Sequence, residues 1–300
     1  MARATVATTN PESIEIEYET FGSPDDPALL LVNGFTAQLI DWDRELCELL
    51  AARGRYVIRF DNRDCGLSTH LDGITADPMA VQRARTEGRE RPAVPYTLTD
   101  MANDAVGLLD ALGIDAAHVL GASMGGMIVQ TMAIEHPDRC LSVTSVMSTP
   151  SFRAGPPAPE ALELLLRPPP TEREAFIEQS GGSAIWRSKR YFDLERVRER
   201  AAAAFDRAFY PEGAPRQLAA MYASDSRTEA LAKVEVPFLV IHGRDDTLIS
   251  PPGGQATFEA VPGASLLLLA DMGHDLPAPL WPVIVDAVIS HTEHAARAAV

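Results

Sequence analysis

Three residues far apart in the chain have the types needed to break a carboxylic ester: a serine between glycines, an aspartate after one apolar run and a histidine after another. The serine is Ser123, in "HVLGASMGGMIVQ" (His118–Gln130), where Gly121-Ala122-Ser123-Met124-Gly125 separates two apolar runs. A G-x-S-x-G turn between a strand and a helix holds its serine in a strained conformation with the hydroxyl exposed, and its glycines let strand and helix pass without a Cβ clash. A serine hydroxyl is a weak nucleophile near neutral pH until a base takes its proton. His274 is the base that the order of the chain offers, in a loop just after "SLLLLADMG". The carboxylate that would orient it is Asp246 of "VPFLVIHGRDDTLISP", with neighbouring Asp245 read as a surface residue. Such an acid fixes the imidazole tautomer and stabilises the imidazolium. A tetrahedral oxyanion also needs donors, and the backbone N–H groups of Met124 and of Phe35, in "LLLVNGF", are the expected pair.

The other histidines fit structural places. His242 lies inside a strand, His118 and His136 fall at the opposite edge of the sheet, His70 follows "YVIRFD" by several residues, and His291 and His294 sit on the terminal helix.

These positions matter only if the chain brings them to one edge of a sheet. "SIEIEYETFG" alternates Ile14, Ile16 and Tyr18 with acidic residues, as a strand with one solvated face does. "PALLLVNG" and "YVIRFD" are continuous apolar runs suited to strands buried on both faces. Between them, Trp42, Leu46, Leu49 and Leu50 recur at helical spacing before Gly54. Thr97 to Leu112 reads as an amphipathic helix stopped by Gly113. The strand "AHVLGAS", a helix from about Gly125 to Glu135 and the strand "LSVTSVMS" follow. Strands alternating with helices of this length predict an α/β fold with a mostly parallel central sheet.

After Pro150 the texture changes. "TPSFRAGPPAPEALELLLRPPPTERE" is dense in proline, and "DLERVRERAAAAFDRAF" (Asp193–Phe209) is a strongly charged helix. Alternation returns at "VPFLVIHGRDD", followed by a helix near Gln255–Ala260, the strand "SLLLLAD" and a helix over Trp281–His294. The expected organisation is a core of residues 1–150 and 229–300 interrupted by a helical lid, 151–228. The strands after the insertion are too few to form a sheet alone. Gly34 beside the serine, and Trp186, Tyr191 and Phe192 in the lid, are the substrate-binding candidates.

Composition narrows the function. A formal net charge of −16 argues against nucleic acid and anionic membrane surfaces as partners. Cys47, Cys65 and Cys140 are odd in number and lack metal-ligand spacing, which fits unpaired thiols in a reducing, cytoplasmic compartment. The N-terminus has no apolar segment behind its arginine, and no run is long enough to span a membrane. No phosphate loop, dinucleotide fingerprint or metal cluster appears, so neither a cofactor nor a metal is expected. A small-molecule ester is the expected partner, and a monomer and a homodimer are both open.

Together these residues resemble the α/β-hydrolase superfamily. "LLLVNGF", "RFDNRDCGLST", "GASMGG", "HGRDDTLISP" and "MGHDLP" occur in the family's order. Within it, "RFDNRDCGLST", "DAAHVLGASMG" and "MGHDLPAPLWPVIVDAVISHT" are similar to aclacinomycin methylesterase and its relatives. That resemblance implies hydrolysis of a methyl ester on a polycyclic aromatic polyketide. Two departures stand out. Gly34-Phe35 occupies the position of a Gly-Gly oxyanion loop, and Asp64 replaces the first glycine of a D-x-R-G-x-G-x-S stretch, in which Arg63 is expected to be buried and paired. The serine argues against the family's dehalogenases and epoxide hydrolases, which use an aspartate nucleophile. C–C bond hydrolases, thioesterases, perhydrolases and ligand receptors of this fold remain alternatives.

Overall fold

The computed structural model describes residues 1–7 and 13–298. Its scaffold is an eight-stranded sheet in the order β1-β2-β4-β3-β5-β6-β7-β8. The first half supplies β1 (Ala2–Ala7), β2 (Ser13–Phe21), β3 (Ala28–Val32), α1 (Arg44–Ala51), β4 (Tyr56–Phe60), α2 (Pro78–Thr86), α3 (Leu98–Ala111), β5 (Ala117–Ala122), α4 (Met124–Glu135) and β6 (Cys140–Val146). After α5 (Pro159–Leu166), α6 (Arg173–Ser180), α7 (Leu194–Ala208), α8 (Gly213–Ala223) and α9 (Thr228–Leu231), the chain returns to the sheet. It closes with β7 (Phe238–Gly243), α10 (Pro252–Ala260), β8 (Ser265–Leu269) and α11 (Trp281–Ala298). β1 and β2, and β2 and β4, pair antiparallel, and every later pair is parallel. Among the described residues no helix is long and apolar enough to cross a membrane.

The period-two geometry of a strand sends successive side chains to opposite faces, and here both faces are covered. Leu30, Val32 and Val119 pack with α3 and α4, while Leu29, Leu31 and Leu120 pack with Trp42, α1 and the apolar side of α11. β3 is therefore apolar throughout, while the other central strands bury a few polar residues among apolar ones, Arg59 in β4, His118 in β5, Ser142, Thr144 and Ser145 in β6 and His242 in β7. Thr97 starts α3 with a capping box, its backbone N–H donating to Asp100 at 2.7 Å. Two elements lay outside the sequence reading. β1 is a short edge strand carrying Arg3, and α2 buries only Val81 and Ala84, so neither has a strong apolar period.

The loop after β4 is a structural device. Arg63 is buried and makes a two-pronged pair with Asp104 of α3, at 2.6 Å to each oxygen. Asp64 takes a left-handed φ of 62°, which is why glycine serves at that place in the motif. Its carboxylate gains what glycine would lack: it holds Arg216 of α8 at 2.7 and 2.8 Å.

The helical excursion between β6 and β7 divides in two. α8 and α9 belong to the core, since Leu218, Ala220, Met221, Tyr222 and Leu231 join its main apolar cluster. α5, α6 and α7 carry few fully buried residues, and Leu165, Phe176 and Phe205 from them line a cavity together with Phe35 and Thr36 of the loop after β3. Polar ties hold α7 down. The amide of Gln38 donates to the carbonyls of Ala204 and Ala208 at 2.8 and 2.9 Å, Arg207 meets buried Asp61 at 2.8 Å, and Arg196 and Arg200 both reach Asp43.

His118 is buried in β5, with Nδ1 2.8 Å from Ser142 Oγ. Burial, helped by Arg55 and His291, pushes its pKa down to about 4. Below about pH 6.5 the unfolded chain therefore binds a proton that the fold refuses, so this residue's contribution is present above that pH and lost as pH falls toward 4. Urea unfolding at pH 7.5 and 4.5 should show stability falling by about 2 to 3 kcal/mol more in the native sequence than in His118→Gln. Equal losses in the two proteins would refute this.

Candidate active site

The turn between β5 and α4 is built by close backbone passage. Ser123 has φ 56° and ψ −117°, a conformation that costs a non-glycine residue energy. Its N–H donates to the Val146 carbonyl at 2.9 Å, and its own carbonyl accepts from Met127 N–H at 3.2 Å and Ser148 Oγ–H at 2.8 Å. A Cβ on Gly121 would lie 2.1 Å from the Gly125 carbonyl oxygen, and one on Gly125 would lie 2.1 Å from that of Val32. Gly126, outside the motif, is equally constrained, because a Cβ there would lie 2.4 Å from Ser148 Cβ.

Two backbone donors stand beside the serine. Met124 is the first residue of α4, so its N–H has no carbonyl a turn earlier to bind. Phe35 N–H has no acceptor among the described residues. The loop carrying Phe35 is held from both sides. Asn33 Nδ2 donates to the Phe60 carbonyl at 3.1 Å, and Thr36, with φ 56°, donates its N–H to Gln217 Oε1 at 2.9 Å. Gln217 is fully buried in α8 and also donates to the Arg63 carbonyl at 2.9 Å. Nothing in its local sequence pointed to this role, which depends on a side chain reaching a loop distant in the chain.

The structure brings Asp246 and His274 together. His274 Nδ1 lies 2.7 Å from Asp246 Oδ2, and the other oxygen of Asp246 accepts the N–H groups of Leu248 and Ile249, each at 2.9 Å. Burial works to raise the Asp246 pKa, but His274 and then His242 prevail and hold it below the usual carboxylate range. Asp246 is thus a fixed anion whose bond to Nδ1 leaves Nε2 of His274 as the nitrogen able to take a proton. His242 is a buried strand residue, its Nε2 2.8 Å from the Ile249 carbonyl and 3.5 Å from Asp246. Asp245 is half-buried and makes no bond to His274.

Ser123 and His274 line one chamber of about 280 Å³, together with Gly34, Phe35, Trp186 and Trp281. Beside it lies a larger, mostly apolar cavity of about 840 Å³, and Phe35, Thr36 and Leu165 form walls of both. Phe176, Phe205 and Phe209 line the larger one as a ring cluster with centroids 4.5 to 5.5 Å apart. Tyr191 and Phe192 line neither cavity. Arg190 stacks over the Tyr191 ring instead, and the Tyr191 N–H donates to Ser188 Oγ at 2.9 Å. Of the lid aromatics expected at the site, only Trp186 is there. The rings overlooked were legible as Phe205 and Phe209, four residues apart at the end of α7 with alanines beside them. An arrangement of this kind can take a proton from Ser123 and hold a negative oxygen beside it.

Gly125→Ala should abolish soluble expression or lower the unfolding midpoint steeply, because backbone rather than a movable side chain blocks the new methyl group. A soluble Gly125→Ala protein with an unchanged melting temperature would contradict the packing described.

Known proteins resemble this chain over most of its length. The profile of the α/β hydrolase fold family matches residues 27–277. Rhodomycin D methylesterase DauP of Streptomyces sp. (strain C5) is 28% identical, the match covering 95% of this chain and 97% of that protein. The 3-oxoadipate enol-lactonase 2 of Acinetobacter baylyi is 26% identical, with 87% of each chain covered. A hydrolase from Pseudomonas aeruginosa superposes with a TM-score of 0.71 at 25% identity, covering 96% of this chain and 97% of that one.

Proposed function

This chain belongs to the α/β-hydrolase family, and from that premise we propose that it is a serine esterase acting through Ser123, His274 and Asp246. Ser123 Oγ attacks the ester carbonyl carbon while His274 Nε2 takes its proton, and the N–H groups of Phe35 and Met124 stabilise the tetrahedral oxyanion. The intermediate collapses as His274 returns the proton to the leaving alkoxide, giving an alcohol and an acyl-enzyme. Water, deprotonated by His274, then attacks the acyl carbon, and collapse releases the acid and restores Ser123. The single observation that carries this reading is the 2.7 Å contact of Asp246 with His274 in the chamber that also holds the strained Ser123.

The substrate we propose is a methyl ester of a bulky, aromatic, polyketide-like acid. Likeness to the rhodomycin D methylesterases over nearly the whole chain supports it. The cavities support it too: the smaller chamber suits a small alcohol, and the larger one, lined by phenylalanines and prolines, suits a flat aromatic body. In this reading residues 151–228 form the lid, and α5 to α7 are the part that roofs the site.

Intact mass after treatment with a fluorophosphonate should reveal one adduct on the native protein and none on Ser123→Ala. Retention of full esterase activity by Ser123→Ala would overturn the proposal. Asp246→Asn should keep the fold but lower kcat about 10³-fold or more. Phe205→Ala should raise KM for a polycyclic aromatic methyl ester about tenfold and leave that for methyl acetate nearly unchanged. Equal effects on both esters would remove the larger cavity from substrate binding.

A further inference from the structure

We infer that the lid segment Ile185–Tyr191 positions the catalytic histidine, with Asp275 and Ser188 as positioning residues. The inference rests on the esterase reading of His274.

The turn that carries His274 is bound to this segment through main chain and side chain alike. His274 N–H donates to the Trp186 carbonyl at 2.5 Å. Ser188, fully buried, donates its hydroxyl to the Asp271 carbonyl at 2.6 Å and its N–H to Asp275 Oδ1 at 3.0 Å. The same Oδ1 accepts Gly273 N–H at 3.3 Å, so one oxygen joins the lid to the residue before His274. Arg190 adds an ion pair with Asp271 at 3.0 Å, and Asp271 itself has a left-handed φ of 60°. The approach leaves no slack: a Cβ on Gly273 would stand 2.4 Å from both the Trp186 carbonyl oxygen and the Arg187 carbonyl carbon.

The segment also grips the loop of the acid. Thr247, next to Asp246, donates its hydroxyl to the Ile185 carbonyl at 2.8 Å, and its own carbonyl accepts Ala158 N–H at 2.8 Å. The two loops, whose active residues must stay in hydrogen-bond contact, are thus splinted by a third piece of chain. Neutral acceptors would serve the bonds alone, yet Asp275 is a buried carboxylate beside the base. Burial pushes its pKa up, and Arg187 is the strongest of the groups that oppose this. Asp246 and His242 face His274 from the β7 side, and Asp41, Arg187 and Arg200 share its chamber.

The test uses the full chain, with p-nitrophenyl acetate turnover from pH 5 to 9, the rate of fluorophosphonate labelling, and the low-field proton signal of His274 Nδ1–H. Asp275→Ala should lower kcat and the labelling rate by about 10- to 100-fold with KM within about twofold, and should broaden or shift the Nδ1–H signal. Asp275→Asn keeps the Oδ1 acceptor and loses the charge. It should lose less in kcat and keep the proton signal. Thr247→Val tests the other end of the splint and should slow labelling several-fold. A folded Asp275→Ala protein with native labelling rate, pH profile and proton signal would overturn the inference. A change confined to KM would also overturn it, making the segment a pocket wall. If the native protein turns over no ester, the esterase reading fails, and an Nδ1–H signal unaltered by Asp275→Ala would refute the splint separately.

Discussion

One close passage of backbones governs the centre of the molecule: the carbonyl of Val32, at the end of β3, lies where a side chain on Gly125 would begin. It allows α4 to start directly beneath the neighbouring strand and forces the sharp turn that lifts Ser123 out of β5. From it follow the free N–H of Met124, aimed where α4 begins, and the nearness of Gly34 to the serine, a Cβ there being 3.2 Å from Ser123 Cβ. Attachments to Val146, Met127 and Ser148 hold the strained serine in place. The strain is thus sustained by several bonds to the sheet and helix rather than by the turn itself.

Electrostatics organises the second level. Asp61, Asp64 and Asp104 are fully or almost fully buried, and each is answered by an arginine: Arg207 from α7, Arg216 from α8 and Arg63 from the loop after β4. Two of these arginines come from the helical excursion, so the acidic loop beside the site is completed by segments more than a hundred residues later in the chain. Breaking one such pair strands a buried charge, which is far more costly than losing a surface bridge.

What could be read beforehand follows from this hierarchy. The placement of Ser123, Asp246 and His274 near one another was legible because punctuation fixes each position: glycines around the serine, and strand ends before the aspartate and the histidine. The parallel sheet was legible because strands buried on both faces are short and mostly apolar and alternate with helices. Tyr191 and Phe192 misled because an aromatic count does not reveal which way a loop turns, and Ser188, fully buried just before them, turns that loop onto the His274 turn. Gln217 gave no signal, since an amide becomes informative only once its distant partner is known. The boundary at 228 expected for the insertion is not visible in the packing for a similar reason: α8 looks like its helical neighbours in sequence, yet its apolar side completes the main core.

Phe35 separates two tasks onto different atoms of one residue. As a wall residue of both cavities it brings a backbone N–H that has no acceptor among the described residues, which any residue other than proline would supply, and a ring that is the part a substitution changes. A change of side chain there would keep that N–H and alter the wall that the two cavities share. On the esterase proposal, substrate range would be set in part at this shared wall, one residue away from Gly34 and the serine's turn.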